Sequence, residues 1–324
     1  MAALLARYAE CIFWMARYME RAENLARILD VHETFARDSF GSTNWLPILR
    51  LNADEKRFFE LYPTASVKNV LNFYVLDQNN PTSIIAAIAS ARENARQLRP
   101  LISTEMWAHL NMFYNRLLAL EPATDLAQHN IQRLCASIKE ACQTHTGITE
   151  GTFFRDQGWY FYQLGRNLER ADQATRVLDI KYHTLLPSPR DVGTPIDISQ
   201  WNSLLRSAAG YHAFRRVYPR GMTPAAVAGF LLFNDNFPRS VLVCMREVDS
   251  LLNRLNSKYR LRRGTLPLER SDELLGNLSN QTITNVISVG LHEYLDGLQI
   301  NFGKLSNDIA QAFFLIDEPG TLSA

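Results

Sequence analysis

The sequence predicts an all-α protein built by internal duplication, with two pseudo-symmetric halves each led by a long helix. Three observations carry that expectation. Apolar residues recur at the helical period nearly everywhere. Alternation of the strand type is absent over useful lengths, and a 17-residue segment near the start reappears 149 residues later.

Taken in order, the first helix is expected over Ala3–Asp38, a stretch without Pro or Gly, the residues least compatible with a helix interior. Shorter helices are expected at Trp45–Tyr62, Ser66–Leu76, Pro81–Arg99, Thr104–Ala119 and Asp125–Thr144. A second long helix is expected over Gly151–Leu185 and ends at the Pro-rich connection 187–195, because proline cannot continue a helix and biases its predecessor away from helical angles. Later helices are expected at Ser199–Val217, Pro224–Asn234, Pro238–Lys258, Glu269–Leu278 and Thr282–Phe314.

The repeat is specific. Met15–Val31 and Leu164–Ile180 share seven of seventeen residues, among them Arg17/Arg166, Glu20/Glu169, Arg21/Arg170 and Arg27/Arg176. Chance would give about one, at typical residue frequencies. Downstream, Trp45 and Arg50 match Trp201 and Arg206 at an offset of 156. Val70, Phe73, Asn79, Pro81 and Ser83 match Val227, Phe230, Asn236, Pro238 and Ser240 at 157. The expected halves are 1–150 and 151–324, packed as one body.

Composition narrows the function. The 324 residues are 47% hydrophobic with a formal net charge of +1, which argues against nucleic acid as the partner, since that usually leaves a strongly basic footprint. Arg outnumbers Lys 28 to 6, and its planar fork suits carboxylates, phosphates and buried pairs. Cys11, Cys135, Cys142 and Cys244 show no Cys-x-x-Cys pair, as expected of free thiols in a reducing compartment. No secretory signal is visible, and the longest apolar runs, 84–88 and 225–233, fall short of the roughly 20 residues that span a bilayer. A cytoplasmic location without membrane association is expected.

On a helical wheel, Met15, Tyr18, Met19, Ala22, Leu25, Ala26 and Leu29 form an apolar face of the first helix that needs a core. Roughly opposite lie Glu10, Trp14, Arg17, Glu20, Arg21, Asn24 and Arg27, with Ile28 and Val31 among them, so this face too is expected to be partly buried. Glu23/Arg27 and Asp172/Arg176 stand four apart in the favourable order and read as ordinary surface pairs. Arg17/Arg21 and Arg166/Arg170 are like charges at the same spacing and repel. Glu20 can pair with Arg17 but leaves Arg21 short of a partner. Either the long helices cross and exchange Glu20–Arg170 and Glu169–Arg21 pairs, or a bound anion supplies the charge, because a buried unpaired Arg costs several kcal/mol. Glu20 and Glu169 are the candidate general bases should the chain be catalytic. Arg17, Arg21, Arg166, Arg170 and Trp14 are candidate substrate-binding residues.

A second constellation runs from Glu150 to Trp159. Gly151 and Thr152 read as a helix start, where free backbone N–H groups favour an anion. Arg155, Asp156 and Trp159 then fall in the first turns, as binding residues or as an N-cap beside a buried aromatic. Arg92, Glu93 and Arg96 read as a solvated charged face. The seven histidines form no metal-ligand spacing, so no metal is expected. There is no Walker loop, dinucleotide turn, Gly-x-Ser-x-Gly elbow or kinase signature, the usual marks of ATP-using or nucleophilic enzymes.

Several blocks carry a resemblance that covers essentially the whole chain. They are Arg7-Tyr-Ala-Glu10, Phe13-Trp14, Arg17-Tyr-Met-Glu20-Arg21-Ala-Glu23, Ala91-Arg-Glu-Asn-Ala-Arg96, Ser103-Thr-Glu-Met-Trp107, and Gly151-Thr152 through Arg155-Asp156-Gln-Gly-Trp159 into Gly165-Arg-Asn-Leu-Glu-Arg-Ala-Asp172. The sequence resembles the alpha-E family, helical proteins of bacteria without a settled function. Phe153-Phe154 departs from the smaller residues expected before Arg155. The resemblance implies a partner, a circularly permuted ATP-grasp protein, often with a transglutaminase-like protein nearby. ATP-grasp proteins join a carboxylate to an amine through an acyl phosphate. The implied role is an accessory or substrate-binding subunit in making an amide or peptide-like small molecule, with ATP and magnesium on the partner and a small carboxylate or amine on this chain. The alternatives are a stand-alone enzyme acting on an acidic substrate and a purely structural helical scaffold.

Overall fold

Sixteen α-helices and no strand make up the described residues of the computed structural model, which are 4–38, 45–184, 195–219, 221–259 and 265–315. Most of the Pro-rich connection, 187–194, lies outside them. In chain order the helices are α1 Ala6–Asp38, α2 Leu46–Leu51, α3 Glu55–Leu61, α4 Val67–Leu71, α5 Ile84–Gln97, α6 Thr104–Leu118, α7 Pro122–Asp125 and α8 Ile131–Thr152. Then come α9 Gln157–Thr184, α10 Pro195–Ser207, α11 Tyr211–Val217, α12 Pro224–Phe233, α13 Val241–Tyr259, α14 Thr265–Asn280, α15 Ile283–Val289 and α16 Leu291–Phe313. A π-helical turn at Asn72–Leu76 extends α4, and a short 3-10 turn at Gln128–Asn130 precedes α8. No helix among the described residues is long and apolar enough to cross a membrane.

The long helices α1 and α9 form the axis and pack along each other. Their surroundings correspond: α5 and α8 pack on α1, while α13 and α16 pack on α9. The short helices cross over, α2 lying on α9 and α10 on α1. This wrapping explains why α1 needs no polar outer face. Arg17, Glu20, Glu23, Asn24 and Arg27 are buried along with Met15, Met19, Ala22 and Leu29.

Serine and threonine caps start several of the shorter helices. Ser66, Ser83, Ser103, Thr223 and Thr282 each accept a hydrogen bond from the N–H three residues on, satisfying one of the donors a helix start leaves orphaned. Three expected helices are broken where the chain turns through positive φ. The span Trp45–Tyr62 divides at Ala53 (φ 55°), Ser199–Val217 at Ala209 (φ 56°) and Thr282–Phe314 at Gly290 (φ 119°). The two alanines are a non-glycine exception, and they stand 156 residues apart, at the offset of the repeat. Ser83 and Ser240, 157 apart, also correspond: each hydroxyl donates to the carbonyl six residues earlier, Asp77 at 2.6 Å and Asn234 at 2.7 Å.

The second long helix begins later than the sequence suggests. Gly151 and Thr152 are the last residues of α8, whose Thr149 and Thr152 hydroxyls donate to carbonyls four residues back at 2.8 Å each. The chain turns at 153–156, where buried Phe153 anchors it, and Asp156 accepts from the Gly158 N–H at 2.8 Å. Asp156 therefore caps α9, and the helix start expected at Gly151–Thr152, with its anion-binding N–H groups, is not formed.

Candidate functional site

The site grows from the closest approach of α1 and α9. Gly165 lies against the Phe13 main chain; a Cβ there would stand 2.3 Å from the Phe13 carbonyl oxygen. Ala16, which aligns with Gly165 at the sequence offset of 149, is also buried. Small residues at the crossing bring the charged faces of both helices within reach of each other. Glu169, fully buried, accepts from the Arg17 Nε at 2.6 Å through one oxygen and from the Arg21 Nε at 2.6 Å through the other. In return, Arg170 donates to both oxygens of Glu20 at 2.8 and 2.9 Å. Of the two arrangements open to the sequence, the structure contains the exchange of Glu20–Arg170 and Glu169–Arg21 pairs.

A second layer flanks each exchange. Arg27 donates to Glu23 at 2.5 Å and to the Ser207 carbonyl; Arg176 donates to Asp172 at 2.9 Å and to the Leu51 carbonyl at 3.3 Å. The expectation of ordinary surface pairs is corrected here, since Glu23 and Arg27 are buried and Asp172 and Arg176 half-buried. The reason is the crossover of α10 and α2, which covers a helix face that a wheel alone cannot show to be covered. Arg239, in the turn just before α13, completes the Glu20 end by donating to Glu20 at 3.0 Å and Glu23 at 2.5 Å. Such charges are tolerated in the interior only because each is paired.

Electrostatics limit what these carboxylates can do. Burial alone would raise the Glu20 carboxyl, but Arg170 and Arg239 outweigh it and hold it far below the usual range. Burial likewise opposes Arg21 and Arg17 at Glu169, and the arginines prevail. A general base works best with a pKa near the operating pH. Glu20 and Glu169, held toward the ionised form by the arginines that bind them, are poorly suited to that role.

What the arrangement does offer is a cavity of about 180 Å3 beside the Glu169 end, lined by Arg21, Thr82, Asp172, Gln173 and Arg176, with Leu25 and Ile28 as its apolar wall. Arg21 keeps 37% of its side chain exposed, and among the described residues its terminal nitrogens make no hydrogen bond. Gln173 donates to Glu169 at 3.1 Å. Trp14 lies beneath the arginines, its ring centroid 4.8 Å from the Arg17 guanidinium carbon and 5.5 Å from that of Arg21.

The other candidates lie elsewhere. Arg166 turns away from Glu20 and donates to Glu150 at 3.0 Å. Arg155 is exposed over Trp159, 4.9 Å from its ring, with Glu150 at 3.9 Å. Arg155, Asp156 and Trp159 thus form the α8–α9 corner and do not line the cavity. Sequence reasoning did not single out Thr82, Gln173 or Arg239, although Gln173 lies inside the repeated segment and Thr82 and Arg239 stand between the matched Pro81/Pro238 and Ser83/Ser240. Among the described residues one trio brings metal-type ligand atoms together, Asp179, His292 and Asp296. There the imidazole lies between the two carboxylates at 2.9 and 3.6 Å. Burial opposes protonation of the imidazole, but Asp179, with smaller effects from Asp296 and Glu293, prevails and raises its pKa.

Comparison with known proteins gives the same family that the sequence resembles. The chain is 22% identical over 318 residues to an uncharacterized protein of Mycobacterium bovis and 21% identical to one of Mycobacterium tuberculosis strain H37Rv. Each alignment covers 92% of this chain and 35% of the relative, so the chain spans about a third of the length of the curated relatives it matches. No solved structure matches. The matching family is described as a predicted alpha-helical domain with a conserved ER motif, and the exchange at the helix crossing is made by two Glu-Arg dipeptides, Glu20-Arg21 and Glu169-Arg170. With the family's profile matching residues 4–314, the chain belongs to the Alpha-E family.

Proposed function

We propose that this chain is a ligand-binding accessory subunit that works beside an ATP-grasp carboxylate–amine ligase in forming an amide or peptide-like small molecule. One observation carries the binding half of the proposal: the cavity between α1 and α9 is lined by arginine donors free for a ligand, while the nearby carboxylates are locked in ion pairs. That chemistry suits holding a substrate more than transforming it. The ATP-grasp partner is what the family resemblance implies. The length of the mycobacterial relatives outside the matched region supports an Alpha-E unit that operates joined to other sequence.

In this reading ATP and magnesium reside on the partner. Phosphoryl transfer needs a phosphate cradle and a metal site; here the buried carboxylates are already neutralised by arginine, which competes with a divalent cation. The reading includes descent of both halves from one duplicated unit, supported by the Ala53/Ala209 turns, the Ser83/Ser240 caps and the reciprocal Glu-Arg exchange.

Titration calorimetry of the purified chain with Mg-ATP, alone and with its ATP-grasp neighbour, tests the proposal. The chain alone should give no saturable Mg-ATP signal, and ATP-dependent amide formation should require both proteins. Stoichiometric Mg-ATP binding by the isolated chain, or full activity of the partner without it, overturns the proposal.

A further inference from the structure

Resting on the reading of the α1–α9 cavity as a ligand site, we propose that its ligand is a small monocarboxylate, held by the Arg21 and Arg176 guanidiniums beside Thr82. The molecule supplies its own comparison. At the opposite end of the helix crossing Glu20 stands for Glu169, Glu23 for Asp172, Asn24 for Gln173, Arg170 for Arg21 and Arg27 for Arg176, all at the repeat offset of 149. Even the outer contacts correspond, Arg27 reaching the Ser207 carbonyl as Arg176 reaches that of Leu51. The ends differ at one decisive place. Where one has Arg239, the other has Thr82, 157 residues earlier.

Arg239 extends inward to Glu20 and Glu23 and leaves a space of only about 20 Å3 at its end. The Thr82 hydroxyl instead turns to Asp54 at 2.7 Å, and the corresponding space opens to about 180 Å3. At ~30 Å3 per water in the liquid, that is room for a molecule the size of roughly six waters.

Charge selects the occupant. At the Glu20 end two carboxylates meet three guanidiniums, Arg27, Arg170 and Arg239. At the Glu169 end two carboxylates already meet three, because Arg17 reaches Glu169 from the far side whereas its counterpart Arg166 turns to Glu150. The cavity therefore carries one excess positive charge without any side chain in the place of Arg239. A cation copying Arg239 would double that excess, and a monoanion cancels it. Hydrogen bonding agrees, because both Glu169 oxygens are engaged while the terminal nitrogens of Arg21 and one terminal nitrogen of Arg176 remain unused among the described residues. Guanidinium forks match carboxylate geometry. A phosphate dianion would exceed the available charge and press on Asp172.

The test is an NMR titration of the full chain with butyrate and butylammonium, similar in shape and opposite in charge, followed at the arginine Nε–H signals. Butyrate should saturate and shift Arg21 and Arg176; butylammonium should not. Thr82→Arg, which fills the cavity as Arg239 fills its counterpart, should weaken butyrate binding by at least about tenfold. Thr82→Met occupies the space without charge and should give the same loss, which guards against misfolding of the arginine variant. Preference for butylammonium, or inorganic phosphate binding as well as butyrate, overturns the monocarboxylate assignment while the ligand-site reading stands. Absence of saturable binding by all three probes overturns both. Butyrate binding unchanged in both Thr82 variants overturns the placement.

Discussion

Gly165 has no room for a Cβ: the atom would stand 2.3 Å from the Phe13 carbonyl oxygen and 3.1 Å from its carbon. The obstacle is the main chain of α1 and cannot rotate away as a side-chain tip would. Alanine would gain about 1 kcal/mol of helix propensity over glycine. Overpacking typically costs about 1–3 kcal/mol, and against backbone the upper part of that range applies. Gly165→Ala is expected to lower stability in urea unfolding despite its better propensity. A stabilised variant would mean that α1 and α9 do not approach this closely.

The Glu169 carboxylate gives a second expectation. Glu169→Gln keeps the shape but leaves Arg17 and Arg21 without their counter-charge, and breaking a buried pair from one side costs about 3–5 kcal/mol. Glu93→Gln is the control, because the Arg96–Glu93 pair is exposed on both partners; its stability should be indistinguishable from wild type. Urea midpoints of the two variants, measured together, decide the matter, and equal losses would count against the buried network.

These two variants mark how far the sequence reads. The exchange between Glu20-Arg21 and Glu169-Arg170 was legible as one of two solutions because repeated like charges at i, i+4 require an outside partner. Arg239 was not, since it lies 219 residues from Glu20 and, although Pro238 and Ser240 beside it match Pro81 and Ser83, the position itself holds Thr82 in the other half. Glu23 and Arg27 misled because their spacing is ideal for a surface pair; burial came from α10, which sequence period cannot place. Gly151-Thr152 misled because a Gly-Thr pair can start a helix as readily as it rides within one. The hydroxyls of Thr149 and Thr152, bonded to their own helix, carry α8 through the site of the expected start.

Acid should weaken the fold through His145. Its ring is fully buried, both nitrogens lack a partner among the described residues, and burial, with a smaller effect from His109, depresses its pKa to about 3. The ordinary value is about 6.5, so between these pH values the unfolded chain binds a proton that the folded chain refuses. Stability from this residue is therefore complete above about pH 6.5 and declines as pH falls, by up to about 1.4 kcal/mol per unit. His145→Phe should flatten the difference between urea midpoints at pH 7.5 and pH 5. An unchanged slope would mean that His145 is not the group responsible.

Arg170 and Arg239 bind the same carboxylate yet should differ in worth. Burial opposes both cations. At Arg170 the bidentate contact with Glu20 outweighs burial and raises its pKa, so the fold favours the charged form. At Arg239 burial prevails and its pKa is lowered, the attraction of Glu20 and Glu23 being countered by Arg170 and Arg27. A guanidinium does not deprotonate in proteins, so Arg239 stays charged at an energetic cost. Arg170→Met should then cost about 3–5 kcal/mol, since it strands Glu20. Arg239→Met should cost about 2 kcal/mol or less, because Arg170 and Arg27 still satisfy both carboxylates. Chemical denaturation of the two variants gives the ranking directly. If Arg239→Met proves the more damaging, the third guanidinium is required to balance the Glu20 end, and the charge count used for the Glu169 cavity must be redrawn with it.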